Sequence, residues 1–314
     1  MTINNVFKDA IGQSSVKETL SIYIDAFKQT NRLPFLNLVT AKGGGKSFFA
    51  RTFRKGLRRN DGTTPKLLEI NAGSIKTSTA FFEQVYPAWV ESGAMLFLDE
   101  AHNIPEPLQE IFLSILDVKD DPIRSVEFNE GIYNFDFRKI SIMMATTDQQ
   151  KLSEALRDRL RDICFEEYTK DELYQIFRNN LDGAVVHESV RDSVIETLRG
   201  NPRDAVVKAL DLNTFAAAKG SGNINQETWN KFCSSMGIHK HGINHSEKQV
   251  LKALAVNNKG MTLGNLSCVT GFARPVIQKE YETLLIRKGL IEIDGKRKLT
   301  DKGKKFAKEL GFIS

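Results

Sequence analysis

One segment of this chain leaves little choice of fold. Residues 40–47 read TAKGGGKS, and they lie between a short apolar run, Leu36–Val39, and a stretch in which Phe49, Phe53 and Leu57 recur every four residues. The run predicts a strand and the recurring pattern predicts a helix. A glycine-rich loop between them can wrap a phosphate in its backbone N–H groups, because no side chain blocks the approach. The segment therefore predicts an α/β nucleotide-binding domain.

The chemistry of the loop predicts a role for each of its last five residues. Gly43, Gly44 and Gly45 form the predicted phosphate cradle. Lys46 is expected to neutralise charge on the β- and γ-phosphates, and Ser47 to ligate Mg²⁺. The predicted cofactors are therefore ATP and Mg²⁺. A flexible glycine loop without a ligand is the alternative, which the flanking strand and helix disfavour.

Two carboxylates follow another predicted strand. Residues 94–98 are apolar, and Asp99 and Glu100 come directly after them. Ligands bind at the carboxyl ends of the strands in open parallel sheets. We expect Asp99 to hold the Mg²⁺ through water, together with Ser47, and Glu100 to polarise the attacking water. The loop and the carboxylate pair together predict an NTPase.

The remaining composition excludes several classes of protein. No apolar run is long enough to span a bilayer, and the N-terminus lacks the pattern of a secretory signal. Cys164, Cys233 and Cys268 lie far apart and have no CxxC spacing, which excludes a disulfide framework and a cysteine-based zinc site. We therefore expect a cytoplasmic protein without a membrane span.

The pattern changes along the chain. Strands alternate with helices in the first half, which predicts a parallel sheet covered on both faces. The stretch that follows loses the strand pattern and predicts a small all-helical domain. From residue 240 onward the chain has 15 lysines and arginines against 7 acidic residues, and three predicted helices precede a hairpin signal at Asp294-Gly295. That order is typical of a winged helix. The expected domains are residues 1–168, 169–238 and 239–314.

A histidine-rich stretch, residues 237–245, predicts the linker before the last domain. His239, His241 and His245 could form a metal site, but no cysteine or carboxylate pattern joins them, which disfavours that interpretation. Residues 246–249 (SEKQ) predict a capping box at the start of the next helix.

The nucleotide motifs resemble those of AAA+ ATPases, and other segments extend the resemblance. Residues 140–147 (ISIMMATT) resemble the sensor-1 strand, which implies that Thr147, or Thr146, contacts the γ-phosphate or the water. Residues 155–160 (ALRDRL) resemble the segment that carries the arginine finger. This implies that one arginine, Arg159 in first place and Arg157 in second, reaches the site of a neighbouring subunit.

Two further segments resemble AAA+ motifs. Residues 200–203 (GNPR) resemble sensor 2, which implies that Arg203 touches the phosphates from the helical lid. Residues 7–13 (FKDAIGQ) resemble the N-terminal box beside the adenine, which implies that Ile11 and Gly12 border the base.

The order of the motifs resembles the RuvB family of Holliday-junction branch-migration motors over essentially the whole chain. The resemblance implies an ATPase that works as a ring-shaped homo-oligomer, a hexamer, on the duplex arms of four-way DNA junctions. Residues 119–138 stand where that family carries a hairpin that docks its RuvA partner. Hairpin-compatible side chains and turn candidates there are Val126, Phe128, Ile132, Tyr133, Asn129 and Gly131.

Some positions depart from the family pattern. Thr40 replaces the first loop glycine, Ala41 and Lys42 replace prolines, and Arg161 replaces a glycine. The departures favour a divergent relative of the kind that a phage or mobile element carries. The effect of Thr40 on the loop is left open.

The predicted hairpin of the last domain carries a cationic run. Lys296, Arg297 and Lys298 follow a tight turn, and we expect all three, with Arg274, to contact DNA phosphates. Phosphate contacts carry no sequence information, which suits a motor on arbitrary DNA. A solvated charge run is the alternative.

Two other functions remain open from the sequence. One is a clamp-loader-like or initiator-like replication factor that loads a partner without moving DNA. The segment before sensor 1 and the winged helix argue against a clamp loader. The other is a DNA-binding adaptor whose ATPase is a slow assembly switch, which an intact Glu100 and Arg159 disfavour.

Overall fold

The computed structural model describes residues 5–117, 121–220, 222–257 and 259–313. The chain forms two compact units. The first comprises Met1–Tyr168 and Asn201–Arg203, and the second comprises Thr169–Gly200 and Asp204–Ser314. Division of the second unit into a lid and a winged-helix domain at residue 239 stays a prediction.

A five-stranded sheet forms the centre of the first unit, which also has a separate hairpin. The strands of this unit are β1 (Leu36–Val39), β2 (Leu67–Asn71), β3 (Met95–Asp99), β4 (Ile123–Phe128), β5 (Gly131–Asp136), β6 (Ser141–Thr146) and β7 (Arg161–Cys164). The order in the sheet is β2-β3-β6-β1-β7, and every neighbouring pair is parallel. The phosphate-loop strand β1 therefore lies beside β6, and β3 lies on the other side of β6.

Both faces of the sheet are buried, as the sequence predicts. Alternate residues of β3 enter different hydrophobic clusters, with Leu96 and Leu98 on one face and Met95 and Phe97 on the other. This follows from the two-residue period of a strand. The longer helices of this unit are Ser14–Thr30, Lys46–Gly56 and Glu106–Ile115, and π-helical segments occupy Phe81–Val85 and Pro87–Glu91. Shorter helical turns are Asn5–Phe7, Ala72–Ser74, Ser78–Ala80, Ala101–Asn103, Gln149–Lys151 and Glu154–Arg157.

The predicted hairpin before sensor 1 is confirmed. Strands β4 and β5 pair antiparallel around Asn129 and Glu130, which both have positive φ. Gly131, a candidate for the turn, instead pairs with Phe128 inside the strands, because Asn129 and Glu130 already close the turn. Residues 119–120 of this predicted segment lie outside the described residues.

The second unit is mainly helical, but not entirely. A two-residue parallel pair, β8 (Val185–Val186) with β9 (Asn223–Ile224), corrects the all-helical prediction. Two-residue strands are too short to leave an alternating pattern in the sequence. The helices up to residue 242 are Lys170–Asn179, Glu188–Val190, Arg191–Thr197, Pro202–Lys219, Gln226–Ser235 and Lys240–Gly242. The first two residues of Pro202–Lys219 belong to the first unit.

The last part of the second unit has the predicted helix–helix–helix–hairpin order. Its elements are helices His245–Val256 and Leu263–Thr270, the helical segments Arg274–Val276, Ile277–Glu282 and Thr283–Arg287, strands β10 (Ile291–Asp294) and β11 (Lys296–Leu299), and helix Asp301–Glu309. The hairpin β10–β11 turns at Gly295, whose φ is +60°.

The capping box lies two residues before its predicted position. Asn244 caps the helix, Glu247 N donates to Asn244 Oδ1 at 3.0 Å, and Asn244 N donates to Glu247 Oε2 at 2.9 Å. The linker prediction therefore extends too far, since His245 already belongs to the helix.

In the five-stranded sheet, the edge strand β7 is not predicted by the sequence. β7 pairs with β1 at the edge of the sheet, and Ile163 is its single buried residue, so its sequence contains no apolar run. Among the described residues, no helix combines the length and the apolar character needed to cross a bilayer.

Candidate functional site

The phosphate loop joins β1 to helix Lys46–Gly56. Gly43 and Gly45 have φ of +81° and +101°, in the left-handed region that favours glycine. A Cβ on Gly43 would lie 2.7 Å from Asn201 Oδ1, so a side chain there would displace the amide of Asn201. Arg203 N donates to Gly43 O at 3.3 Å. The loop is thus held against residues 201–203 of the same compact unit.

Thr40 does not prevent the loop from forming. Its side chain fills the space where a Cβ on Gly44 would lie, and its carbonyl oxygen accepts a hydrogen bond from Lys46 Nζ at 3.5 Å. Position 44 therefore needs a glycine because the Thr40 side chain lies where a Cβ would be, and not because of a positive φ. Threonine at position 40 is thus compatible with a phosphate cradle.

Lys46 is buried at the start of the helix, with 6% of its surface exposed. Burial lowers the pKa of its ammonium group, while the charges of Glu100 and Asp99 act in the opposite direction and Arg203 lowers it further. A phosphate bound here would offset the cost of burying the cation. The glycine cradle and this lysine fit a nucleotide phosphate.

Ser47 and Asp99 bring two oxygen ligands together. Ser47 Oγ donates to Asp99 Oδ2 at 3.4 Å, between the first turn of the helix and the carboxyl end of β3. Hydroxyl and carboxylate oxygens suit Mg²⁺, which keeps several waters and is bound by few protein ligands. Within the described residues, no group of three or more His, Cys, Asp or Glu side chains could hold a metal. Nucleotide and water oxygens would have to complete the shell.

Glu100 lies directly beyond the strand in a left-handed conformation, with φ of +52°. Its backbone N donates to Asp99 Oδ1 at 2.9 Å, and its carboxylate accepts a hydrogen bond from Thr147 Oγ1 at 3.1 Å. The conformation costs about 1 kcal/mol or more for a residue with a Cβ. Strain of this kind, held by neighbouring bonds, is common at active sites and here turns the carboxylate toward Thr147.

The two threonines at the end of β6 have different surroundings. Thr147 is exposed and contacts Glu100, whereas Thr146 is fully buried. Thr146 Oγ1 accepts a hydrogen bond from Asp148 N at 3.0 Å and lies 3.1 Å from His102 Nδ1. The geometry therefore favours Thr147 as the polar group next to the carboxylate.

His102 is a site residue to which the sequence reasoning assigns no role. Its Nδ1 lies 3.4 Å from Glu100 Oε2, in addition to its contact with Thr146. His102 is the last residue of the DEAH segment, residues 99–102, and this position is the sequence signal that could have identified it. The helical turn Ala101–Asn103 brings residue 102 back toward residue 100. His102 Nδ1 and Thr147 Oγ1 thus both lie next to Oε2 of Glu100.

The predicted arginines occupy separate positions in this unit. Arg203 is exposed, and its charge acts on Lys46. Arg159 donates to two backbone carbonyls, from Nε to Leu113 O at 3.0 Å and from Nη1 to Ala155 O at 2.7 Å. Arg157 Nε is buried with no hydrogen-bond partner among the described residues.

The N-terminal box packs against the helix that follows the phosphate loop, where the rings of Phe7 and Phe49 stack with centroids 6.0 Å apart. Gly12 has φ of +64° and Ile11 is half-buried. Gln13 Nε2 donates to Glu166 O at 2.8 Å and Glu166 N donates to Gln13 Oε1 at 3.0 Å, so the side-chain amide joins the two segments as a backbone group would.

The cationic run of the hairpin does not project as one group. Arg297 turns inward, donating from Nε to Glu282 Oε1 at 2.7 Å and from Nη2 to Glu282 Oε2 at 3.3 Å. Its side chain is only 11% exposed. Neighbouring strand residues point to opposite faces, so Lys296 and Lys298 share the other face. The prediction that Arg297 projects with the two lysines is wrong. Arg274 is exposed, as expected of a DNA contact.

Arg297→Ala is expected to lower the free energy of unfolding by about 3 kcal/mol, because Glu282 would remain buried without its partner. Lys296→Ala, on the exposed face, should change it by less than about 0.5 kcal/mol. Urea unfolding of the full chain, followed by circular dichroism, measures both. Equal effects of the two substitutions would show that the ion pair adds no stability.

Comparison with known proteins gives matches to two domains of one family. A profile described as the Holliday junction DNA helicase RuvB P-loop domain matches residues 4–164, and one described as the RuvB C-terminal winged helix domain matches residues 240–308. The chain is similar to the Holliday junction branch migration complex subunits RuvB of Phytoplasma mali and Enterococcus faecalis. It is 26% identical to the first over 91% of this chain and 86% of that protein, and 27% identical to the second over 90% and 83%.

A solved structure shares the fold. The Thermotoga maritima RuvB Holliday junction branch migration motor superposes with a TM-score of 0.74 at 22% identity, over 96% of each chain.

Proposed function

Because this chain belongs to the RuvB family, as both of its matched domains show, we propose that it is an ATP-driven motor that branch-migrates Holliday junctions. The observation that carries the proposal is the meeting of Ser47, Asp99, Glu100 and Thr147 at one end of the parallel sheet, beside the glycine loop. The same chain ends in a winged helix with exposed cations. Its place of action under this proposal is the cytoplasm.

Each nucleotide-site residue has a proposed part. The glycine loop and Lys46 bind the phosphates, Ile11 and Gly12 border the base, and Arg203 adds a positive charge. Ser47 and Asp99 hold Mg²⁺, which when bound would offset negative charge on the phosphates. Glu100 orients and polarises the attacking water, and Thr147 and His102 fix the direction of its carboxylate.

We propose a hexameric ring as the working state. An arginine of one subunit, Arg159 before Arg157, completes the site of the next and stabilises charge on the transferring phosphoryl group. Arg159 would have to exchange its present bonds to Leu113 O and Ala155 O for that contact.

The hairpin β4–β5 is the proposed docking surface for a RuvA-like partner. Ile132 is 68% exposed and Ile123 is 42% exposed on it. Beneath the hairpin, Phe82 packs against Phe128 and Tyr133 with ring centroids 4.6 and 4.2 Å apart. Exposed apolar side chains on a hairpin that is fixed by packed aromatic rings are typical of a surface that binds another protein.

A four-way junction assay tests the proposal. Junction, duplex and single-stranded DNA are each incubated with the chain and ATP, with and without an added RuvA-like protein, and product strands and phosphate release are measured. We expect ATP-dependent conversion of the junction to duplex arms. ATP hydrolysis without junction movement would favour a loading factor, and slow hydrolysis that ignores DNA would favour an adaptor.

DNA affinity should depend on the two lysines of the hairpin β10–β11. Lys296→Ala with Lys298→Ala is expected to reduce the slope of log K against log salt by about 1 for each phosphate that the variant no longer neutralises, uniformly across DNA sequences. Fluorescence anisotropy at several salt concentrations measures it. Lys231→Ala, an exposed lysine of helix Gln226–Ser235, is the control. An unchanged slope would remove this face of the hairpin from the DNA interface.

A further inference from the structure

The segment 196–200 stands at a crossing point of the chain. The chain leaves the second compact unit after Gly200, contributes Asn201–Arg203 to the first, and returns at Asp204. In the first unit, Arg203 N is bonded to the carbonyl of the phosphate-loop residue Gly43. Residues 201–203 therefore connect segment 196–200 covalently to the residue that is bonded to the phosphate loop.

Arg199 binds this segment to the first helix of the winged-helix part. Its guanidinium makes a two-pronged ion pair with Glu247, with Nη1 donating to Oε2 at 2.9 Å and Nη2 to Oε1. Nη1 also donates to Gly242 O at 3.0 Å. The Glu247 side chain is fully buried and that of Arg199 is 24% exposed. Because Glu247 also closes the capping box with Asn244, the pair engages the very start of the helix.

Basic side chains at the end of the helical segment Thr283–Arg287 bind the same segment 196–200. Lys288 Nζ donates to Leu198 O at 2.8 Å and to Glu196 O at 3.5 Å, and Arg287 Nη1 donates to Arg199 O at 3.4 Å. Burial, and then the charge of Lys170, lower the pKa of Lys288. These bonds satisfy carbonyls at the end of helix Arg191–Thr197 and fix its backbone to the winged-helix part.

Two glycines make this contact close. Gly200 has φ of +87°, and a Cβ there would lie 2.9 Å from Arg287 Nη1. Gly242 has φ of +72°, and a Cβ there would overlap Thr197 O. Segment 196–200 is thus packed closely against the winged-helix part. The residues that follow it, 201–203, contact the phosphate loop.

We propose that the Arg199–Glu247 pair is the positioning element through which the nucleotide state of the phosphate loop sets the DNA affinity of the winged helix. This inference rests on the proposed ATPase and DNA-binding function. A bidentate pair suits the task, because its two parallel bonds fix orientation as well as distance. By linkage, DNA must change nucleotide affinity through the pair by the same factor.

The test compares the Kd for duplex DNA in the presence of a non-hydrolysable ATP analogue and of ADP. We expect the two values to differ by about tenfold in the wild-type chain. In Glu247→Gln the ratio should fall to within about twofold of one, while basal ATP hydrolysis without DNA stays at the wild-type level. Arg199→Lys keeps the positive charge but cannot make two parallel hydrogen bonds to Glu247. Its ratio of Kd values should therefore lie between those of the wild type and Glu247→Gln.

Glu282→Gln is the matched control. It also removes a buried carboxylate from an arginine pair, with Arg297, but that pair makes no bond to residues 196–200 among those described. It should lower the melting temperature like Glu247→Gln and keep the wild-type ratio.

The measurements test the role of the Arg199–Glu247 pair separately from the proposed motor function. A wild-type ratio kept in folded Glu247→Gln and Arg199→Lys would overturn the role of the pair alone, as would a ratio that disappears equally in Glu282→Gln. A wild-type chain whose DNA affinity ignores the nucleotide would overturn the proposed motor function, and this inference with it.

Discussion

Glu100→Gln is expected to reduce kcat for ATP hydrolysis by about 10²–10⁴-fold, because an amide cannot accept the proton of the attacking water. ATP affinity should change by less than about threefold, since the carboxylate acts mainly in the transition state. Lys46, the glycine loop and Ser47 remain in place to bind the phosphates. Phosphate release gives kcat, and equilibrium titration with a fluorescent ATP analogue gives the affinity.

Glu110→Gln is the matched control, because it makes the same chemical change at an exposed position of helix Glu106–Ile115. Its kcat should equal that of the wild type. A Glu100→Gln chain that hydrolyses ATP at the wild-type rate would show that another group activates the water. Thr147→Val removes the hydroxyl bonded to Glu100, and its kcat should lie between those of Glu100→Gln and Glu110→Gln.

Arg159→Ala is expected to reduce hydrolysis by about 10³–10⁵-fold while ATP still binds, as for an arginine finger supplied by a neighbour. Arg157→Ala, made beside it, separates the two candidates, because only the finger should give a loss of this size. In the single chain Arg159 makes hydrogen bonds to two backbone carbonyls, Leu113 O and Ala155 O. Because such bonds each contribute little net free energy, the substitution should lower the stability only modestly.

Mixing two inactive variants decides whether the arginine acts between subunits. In a ring filled at random from equal amounts of Glu100→Gln and Arg159→Ala chains, about a quarter of the interfaces join an intact Glu100 to an intact Arg159. The mixture should regain roughly that share of wild-type activity if the sites act independently. A mixture as inactive as its components would mean that Arg159 and Glu100 serve the same subunit's site.

Much of the fold follows from the sequence because its signals are local and strong. Apolar runs such as residues 94–98 lie in buried strands, and the glycine loop joins the predicted strand to the predicted helix. The edge strand β7 has no such signal, since one buried side chain in four residues is not a pattern. Its position depends on pairing with β1, a contact between residues far apart in the chain.

The site is predictable in its residue types but not in all its contacts. The motifs predict Lys46, Ser47, Asp99 and Glu100 as site residues, because their chemistry depends on spacing along the chain, and the structure brings Ser47, Asp99 and Glu100 together. The inward turn of Arg297 depends on Glu282 from a preceding helix, which no local pattern reveals. The hold of His102 on Glu100 likewise depends on the geometry of a single helical turn.

Thr40 and Gly44 have a consequence for how such a loop can evolve. Because the Thr40 side chain occupies the space that a Cβ on Gly44 would need, an alanine at position 44 is tolerable only after position 40 has become small. The reverse order passes through a loop with two side chains in one space. The two positions are therefore coupled in one direction: position 40 can change while glycine stands at position 44, but position 44 can gain a side chain only after the threonine at position 40 has been replaced by a smaller residue.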